Sequence, residues 1–222
     1  MNLEEVVKGT AEKRWEITDK RERALALGKI SGVMMEKRNK EKAEKLFKKA
    51  LDILEDFALD YQKALTLKDI ATIMTQHDQK QISRRIFKKA LKRARTIQKD
   101  SIKNFTLSEL AIALAENREG KRAVDVAKSI SDKSIKITSL IKVAQRMIEN
   151  GNESDGDEIL KQAVERAKNI PSKQERATAL KEASVALAKN GQDEMAMDLA
   201  KNINVKSSRK KAISQVTEEI TS

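Results

Sequence analysis

Hydrophobic positions recur along this chain at the helix turn and again at a much longer interval. The pentapeptide FKKAL at 47–51 returns at 87–91, an offset of 40 residues, and the match extends outward from it. Residues 18–57 lie over 58–97 without a gap, and 98–130, 131–170 and 171–203 follow as further units of 33, 40 and 33 residues. A half unit, 204–222, closes the series. Self-similarity at such a period predicts stacked supersecondary units, each unable to bury its apolar face alone.

Within each unit one column is Leu27, Leu67, Leu107, Leu140, Leu180 and Ile213, and three residues on another is Ile30, Ile70, Leu110, Val143, Ala183 and Val216. The next column is small (Ser31, Ala71, Ala111, Ala144, Ser184, Thr217), and Met34, Met74, Leu114, Met147, Leu187 and Ile220 follow three later. Spacing at i, i+3, i+4 and i+7 predicts an amphipathic first helix. Asn117-Arg118, Asn150-Gly151 and Asn190-Gly191 then mark a turn at one column, where a left-handed helix end suits Asn or Gly. A second helix follows, with Ala43, Ala123 and Ala196, then Leu46, Ile86, Val126, Ile159 and Leu199 on its apolar face. The 33-residue units lose seven residues from this helix. That is close to two turns, so the remaining apolar residues keep their face.

The series Leu67, Ile70, Ala71, Met74, then Phe87 and Ala90, resembles the tetratricopeptide family, whose first helix runs bulky, bulky, small, bulky and whose second runs aromatic then alanine. The resemblance covers residues 18–203 and recurs five times. The family period is about 34 residues, so the longer units carry longer second helices. The resemblance implies an all-α, right-handed α-α superhelix (α-solenoid) of antiparallel helix pairs, forming one domain over 1–222 with capping helices at 1–17 and 204–222. It also implies that first helices line a concave groove for an extended or helical peptide. The groove positions are then Lys29, Lys68, Asp69, Thr72, Glu109, Lys142, Gln145, Lys181 and Glu182.

Composition agrees with helix: 39% hydrophobic and 36% charged residues, with one Pro and seven Gly. The absence of cysteine excludes disulfides, thiolate metal sites and cysteine nucleophiles, and fits a reducing interior. The start, MNLEEVVKGTAEKRWEI, has early acids and no long apolar core, which predicts neither a secretory signal nor a membrane span. A cytoplasmic protein with no membrane partner is expected.

The formal charge of +12 and pI near 9.7 bring in anionic partners. Nine basic residues and no acid lie between Gln79 and Lys99. There Arg84, Arg85, Lys88, Lys89 and Lys92 fall on outer columns, with Arg93 beside them, while Ile86, Phe87, Ala90, Leu91 and Ala94 take the inner ones. Second helices lying side by side would let Lys48 and Lys49 extend the patch. Two readings are open: a solvated helix face, or a ridge that tracks phosphates without reading bases. The cluster Lys206, Arg209, Lys210 and Lys211 fits a solubilising cap.

Catalytic chemistry has little to rest on. The single histidine, His77, occupies the turn column used elsewhere by Asn117, Asn150 and Asn190. The acidic stretch 150–158 fails as a calcium loop, because with Gly156 as the loop glycine the first ligand position is Gly151 and the twelfth is Gln162. No phosphate-binding glycine loop or nucleophile elbow occurs. Met34, Met74 and Met147 are assigned to core packing. The expectation is a non-enzymatic scaffold or adaptor that binds a peptide or protein segment, without cofactor or metal; the alternative is sequence-nonspecific binding of nucleic acid or another polyanion through the basic ridge.

Overall fold

The computed structural model describes residues 20–221, and the expected capping helix at 1–17 lies outside them. The described residues form eleven α-helices and no strand. They are α1 (Lys20–Glu36), α2 (Lys40–Glu55), α3 (Asp60–Gln76), α4 (Lys80–Thr96), α5 (Asp100–Glu116), α6 (Gly120–Lys128), α7 (Lys133–Glu149), α8 (Glu153–Lys168), α9 (Lys173–Lys189), α10 (Asp193–Lys201) and α11 (Lys206–Thr221). The chain divides into two compact units, Met1–Thr106 and Leu107–Ser222, with the boundary inside α5. In the first unit α1 packs on α2, α3 on α4, and α1 on α3. In the second, α7 packs on α6 and α8, α9 on α7, α8 and α10, and α11 on α9 and α10.

The apolar columns explain these contacts. Leu27, Leu67, Leu107, Leu140 and Leu180 are all buried, as are Ile70, Leu110, Val143 and Val216 in the next column. Burying each such side chain contributes about 1.5–3 kcal/mol, which offsets the backbone entropy of ordering its helix. The small column lets partner helices approach: buried Ser31 donates its hydroxyl to the Ala43 carbonyl on α2 at 2.8 Å. Gly156 on α8 faces α7 so closely that a Cβ there would lie 2.6 Å from Ile148 Cγ1 and 3.0 Å from the Ala144 carbonyl oxygen. The pattern weakens in α11, where Thr217 is exposed and Ile220 is 39% exposed. Among the described residues only α9 and α10 pack on α11, so its far side meets water.

The corner inside each helix pair is built five times in one way. Arg38, Asp78, Arg118, Gly151 and Gly191 take left-handed φ values of 61°, 57°, 61°, 84° and 68°. The next residue's amide then reaches back five positions: Asn39, Gln79, Glu119, Asn152 and Gln192 donate to the carbonyls of Met34, Met74, Leu114, Met147 and Leu187 at 2.8–3.0 Å. These are Schellman bonds, which satisfy carbonyls that a helix end would leave without partners. The left-handed residue stands one position after the Asn and His column.

That column has a second use. His77 Nδ1 donates to Glu36 Oε1 at 2.8 Å, and Asn150 Nδ2 donates to the Ala115 carbonyl at 2.9 Å. Asn190 Nδ2 donates to Asp157 Oδ1 at 3.1 Å, where Gln192 also donates. Each of these three corners is thereby tied to the helix pair before it.

Candidate functional site

The second unit contains a cleft of about 370 Å³. Four residues assigned to the groove from sequence, Lys142, Gln145, Lys181 and Glu182, line it together. Ile112, Arg146, Val185, Lys189 and Gln215 complete the lining. All nine come from α5, α7 and α9, the first helices of their pairs, and from α11, the helix of the closing half unit. The convergence follows from the repeat: Lys142, Glu182 and Gln215 share one column, Ile112, Gln145 and Val185 share the column three residues on, and both lie off the buried stripe.

Four cations and one carboxylate line this space. Lys142 Nζ stands 3.5 Å from Glu182 Oε2, and Lys189 Nζ stands 3.6 Å from Glu219 Oε1. Arg146 pairs with Glu149 at 2.6 Å and with Glu116 at 3.2 Å. The hydrogen bond to Glu149 holds the Arg146 guanidinium above its ordinary pKa, so it stays charged throughout the accessible range. Gln145 Nε2 donates to Glu149 as well, at 2.9 Å. Lys181 makes no ion pair among the described residues. These pairs are 29–45% exposed, so each is screened by water and can exchange partners at small cost.

Arg146 and Lys189 were not assigned to the groove from sequence. Lys189 lies seven residues beyond Glu182, two turns further along one face, so extending the groove columns by a heptad would have found it. Arg146 stands one residue beyond the Gln145 column, held by Glu116 on α5 and Glu149 on α7.

The other assigned groove residues lie elsewhere. Glu109 is half-buried on α5 and does not line the cleft. Lys29, Lys68, Asp69 and Thr72 belong to the first unit, on α1 and α3. There Asp69 accepts from Arg21 at 2.7 Å and stands 3.5 Å from Lys68. A further cleft of about 420 Å³ lies beside α6, floored by the buried side chains of Val124, Leu140 and Met147.

The basic stretch forms most of α4. Arg84, Arg85, Lys88, Lys89 and Lys92 are exposed, while Ile86, Phe87, Ala90, Leu91 and Ala94 are buried. Arg93 is placed differently: it turns toward its neighbours and pairs with Glu55 at 3.1 Å and Asp60 at 3.8 Å. Lys48 and Lys49 are exposed on α2. Between these successive hairpins α1 packs on α3, and the Arg93–Glu55 ion pair joins α4 to the end of α2. Gly28 lies at the contact of α1 with α3, with Ile70 Cγ1 3.5 Å from where its Cβ would stand.

No family model matches the chain, and no curated protein does. Among solved structures the chain is similar to the crystal structure of Ton1535 from Thermococcus onnurineus NA1, at 13% identity and a TM-score of 0.49, over 97% of this chain and 86% of that one.

Proposed function

We propose that the chain is a non-enzymatic protein-interaction scaffold of tetratricopeptide-like architecture, which captures an acidic peptide or protein segment in the cleft of its second unit. In this reading the helix pairs stack as a right-handed superhelix of 40- and 33-residue units. The observation that carries it is the convergence of Lys142, Arg146, Lys181 and Lys189 on one cleft beside half-buried Ile112 and Val185. A ligand carboxylate would exchange with Glu182, Glu149 or Glu219 for cations already held in place, and would pair with Lys181 as well. Apolar ligand side chains would meet Ile112 and Val185. Binding then costs little ordering on the protein side, because the cations stand on helices rather than loops.

Fluorescence anisotropy tests this with a labelled peptide alternating Glu and Leu and its Lys and Leu counterpart. The acidic peptide should bind and the basic one should not. Lys142→Glu, Lys181→Glu and Lys189→Glu together should weaken binding by roughly tenfold or more, equivalent to about 1.4 kcal/mol. Equal binding of the two peptides, or no effect of the triple substitution, overturns the reading.

A further inference from the structure

We infer that the outer face of α4 is a contact surface for the phosphate backbone of a nucleic-acid duplex. The inference is independent of the peptide cleft and uses other residues. Five exposed cations, Arg84, Arg85, Lys88, Lys89 and Lys92, form two rows along the helix at i and i+4 spacing. Successive members of a row are separated by roughly 6 Å along the axis, a spacing comparable to that of successive phosphates on one strand. Arg85, Lys88, Lys89 and Lys92 make no ion pair among the described residues. Glu55 and Asp60, the carboxylates that α4 reaches through Arg93, are held by it, and Glu55 by Lys63 as well.

Solubility alone does not account for this face. Like charges at i and i+4 destabilise a helix, and Arg84/Lys88, Arg85/Lys89 and Lys88/Lys92 are all such pairs. Glu would serve as well as Lys for helix propensity. The second helix α8 shows the other solution, with Lys161 bound to Asp157 at 2.7 Å and Lys168 to Glu165 at 2.5 Å. The repulsion within Arg85/Lys89 and Lys88/Lys92 is offset when polyanion charge lies across it and counterions are released.

The chemistry of the face selects among polyanions. A membrane-surface helix needs apolar side chains to insert, but Ile86, Phe87 and Leu91 are at most 7% exposed and face the core. Single strands are held by exposed aromatic rings, and the one aromatic residue of α4, Phe87, is fully buried. A rigid row of cations with no group for stacking or insertion fits a duplex backbone, bound without sequence preference.

The test compares two variants of equal charge. Arg84→Gln, Arg85→Gln, Lys88→Gln and Lys89→Gln remove four positive charges from α4; Lys206→Gln, Arg209→Gln, Lys210→Gln and Lys211→Gln remove four from α11. The full-length chain and both variants are titrated against a labelled 20-base-pair duplex across a salt series, with circular dichroism confirming helix content. The chain should bind at low salt, with log K falling about 0.9 per phosphate neutralised for each unit of log salt. The α4 set should weaken binding by tenfold or more and flatten that slope by about 3 to 4, and the α11 set should leave both nearly unchanged. The pair Arg85→Gln and Lys89→Gln should lie between, which keeps the test informative if the fourfold variant loses helix. No duplex binding at low salt overturns the inference, as does equal loss in the α4 and α11 sets. So does a loss confined to phosphatidylserine vesicles with duplex binding intact.

Discussion

The imidazole of His77 fills the space that a side chain at residue 32 would need. A Cβ built on Gly32 would lie 2.3 Å from His77 Cδ2 and 2.8 Å from Cγ. In Gly32→Ala the ring must therefore swing away, and its 2.8 Å bond to Glu36 is lost. Ala is the better helix former by about 1 kcal/mol, whereas overpacking costs about 1–3 kcal/mol, so the clash should win. Gly32→Ala should lower stability in urea denaturation. In a His77→Ala background the same change should be neutral or stabilising, and equal effects in both backgrounds would show that the ring does not set the constraint.

The left-handed corners make opposite predictions for Arg118 and Gly191. A residue with a Cβ at positive φ costs about 1–2 kcal/mol, while Gly loses about 0.4–1 kcal/mol through its freer unfolded chain. Arg118→Gly should therefore stabilise by about 0.5 kcal/mol net. Gly191→Ala, at φ 68° with open space around its Cβ, should destabilise by a similar amount through backbone strain alone. Chemical denaturation of the two single variants checks the pair of signs.

Asp157 ties the pH dependence of stability to one corner. A hydrogen bond from Lys161, reinforced by Gln192 and Asn190, holds its carboxyl below the ordinary value of 3.8. A depressed folded-state pKa means that this stabilisation is whole above the unfolded-state value and is lost as pH falls through the folded one. Asp157→Asn should destabilise by about 1 kcal/mol at pH 7, and the difference should shrink as pH is lowered below 4. Urea midpoints of both proteins at pH 7 and pH 3 measure it; a gap that widens in acid would contradict the sign.

Much of this fold is written in the periodicity. Leu67, Ile70, Ala71 and Met74 recur because each helix must present the same stripe to the same neighbours, so helix existence and burial follow from spacing alone. The nine-residue helices α6 and α10 beside sixteen-residue α8 are visible in the same way, since a heptad can be removed without rotating the stripe. What spacing does not carry is the packing of one hairpin on the next. The placement of Arg93 against Glu55 and Asp60 depends on how α4 meets α2 and α3, as that of Arg146 beside Glu116 does on how α7 meets α5. The basic patch shows the opposite case: the exposure of Arg84, Arg85, Lys88, Lys89 and Lys92 was legible residue by residue from the column each occupies.

The five Schellman corners are closed by backbone amide and carbonyl groups, which every amino acid but proline supplies. Arginine, aspartate and glycine thus all stand at the hinge of a hairpin with the same backbone bond behind them. Mutation can recolour these knuckles for about 1 kcal/mol of backbone strain, and a lineage could graft a new recognition patch there long before it disturbed the frame.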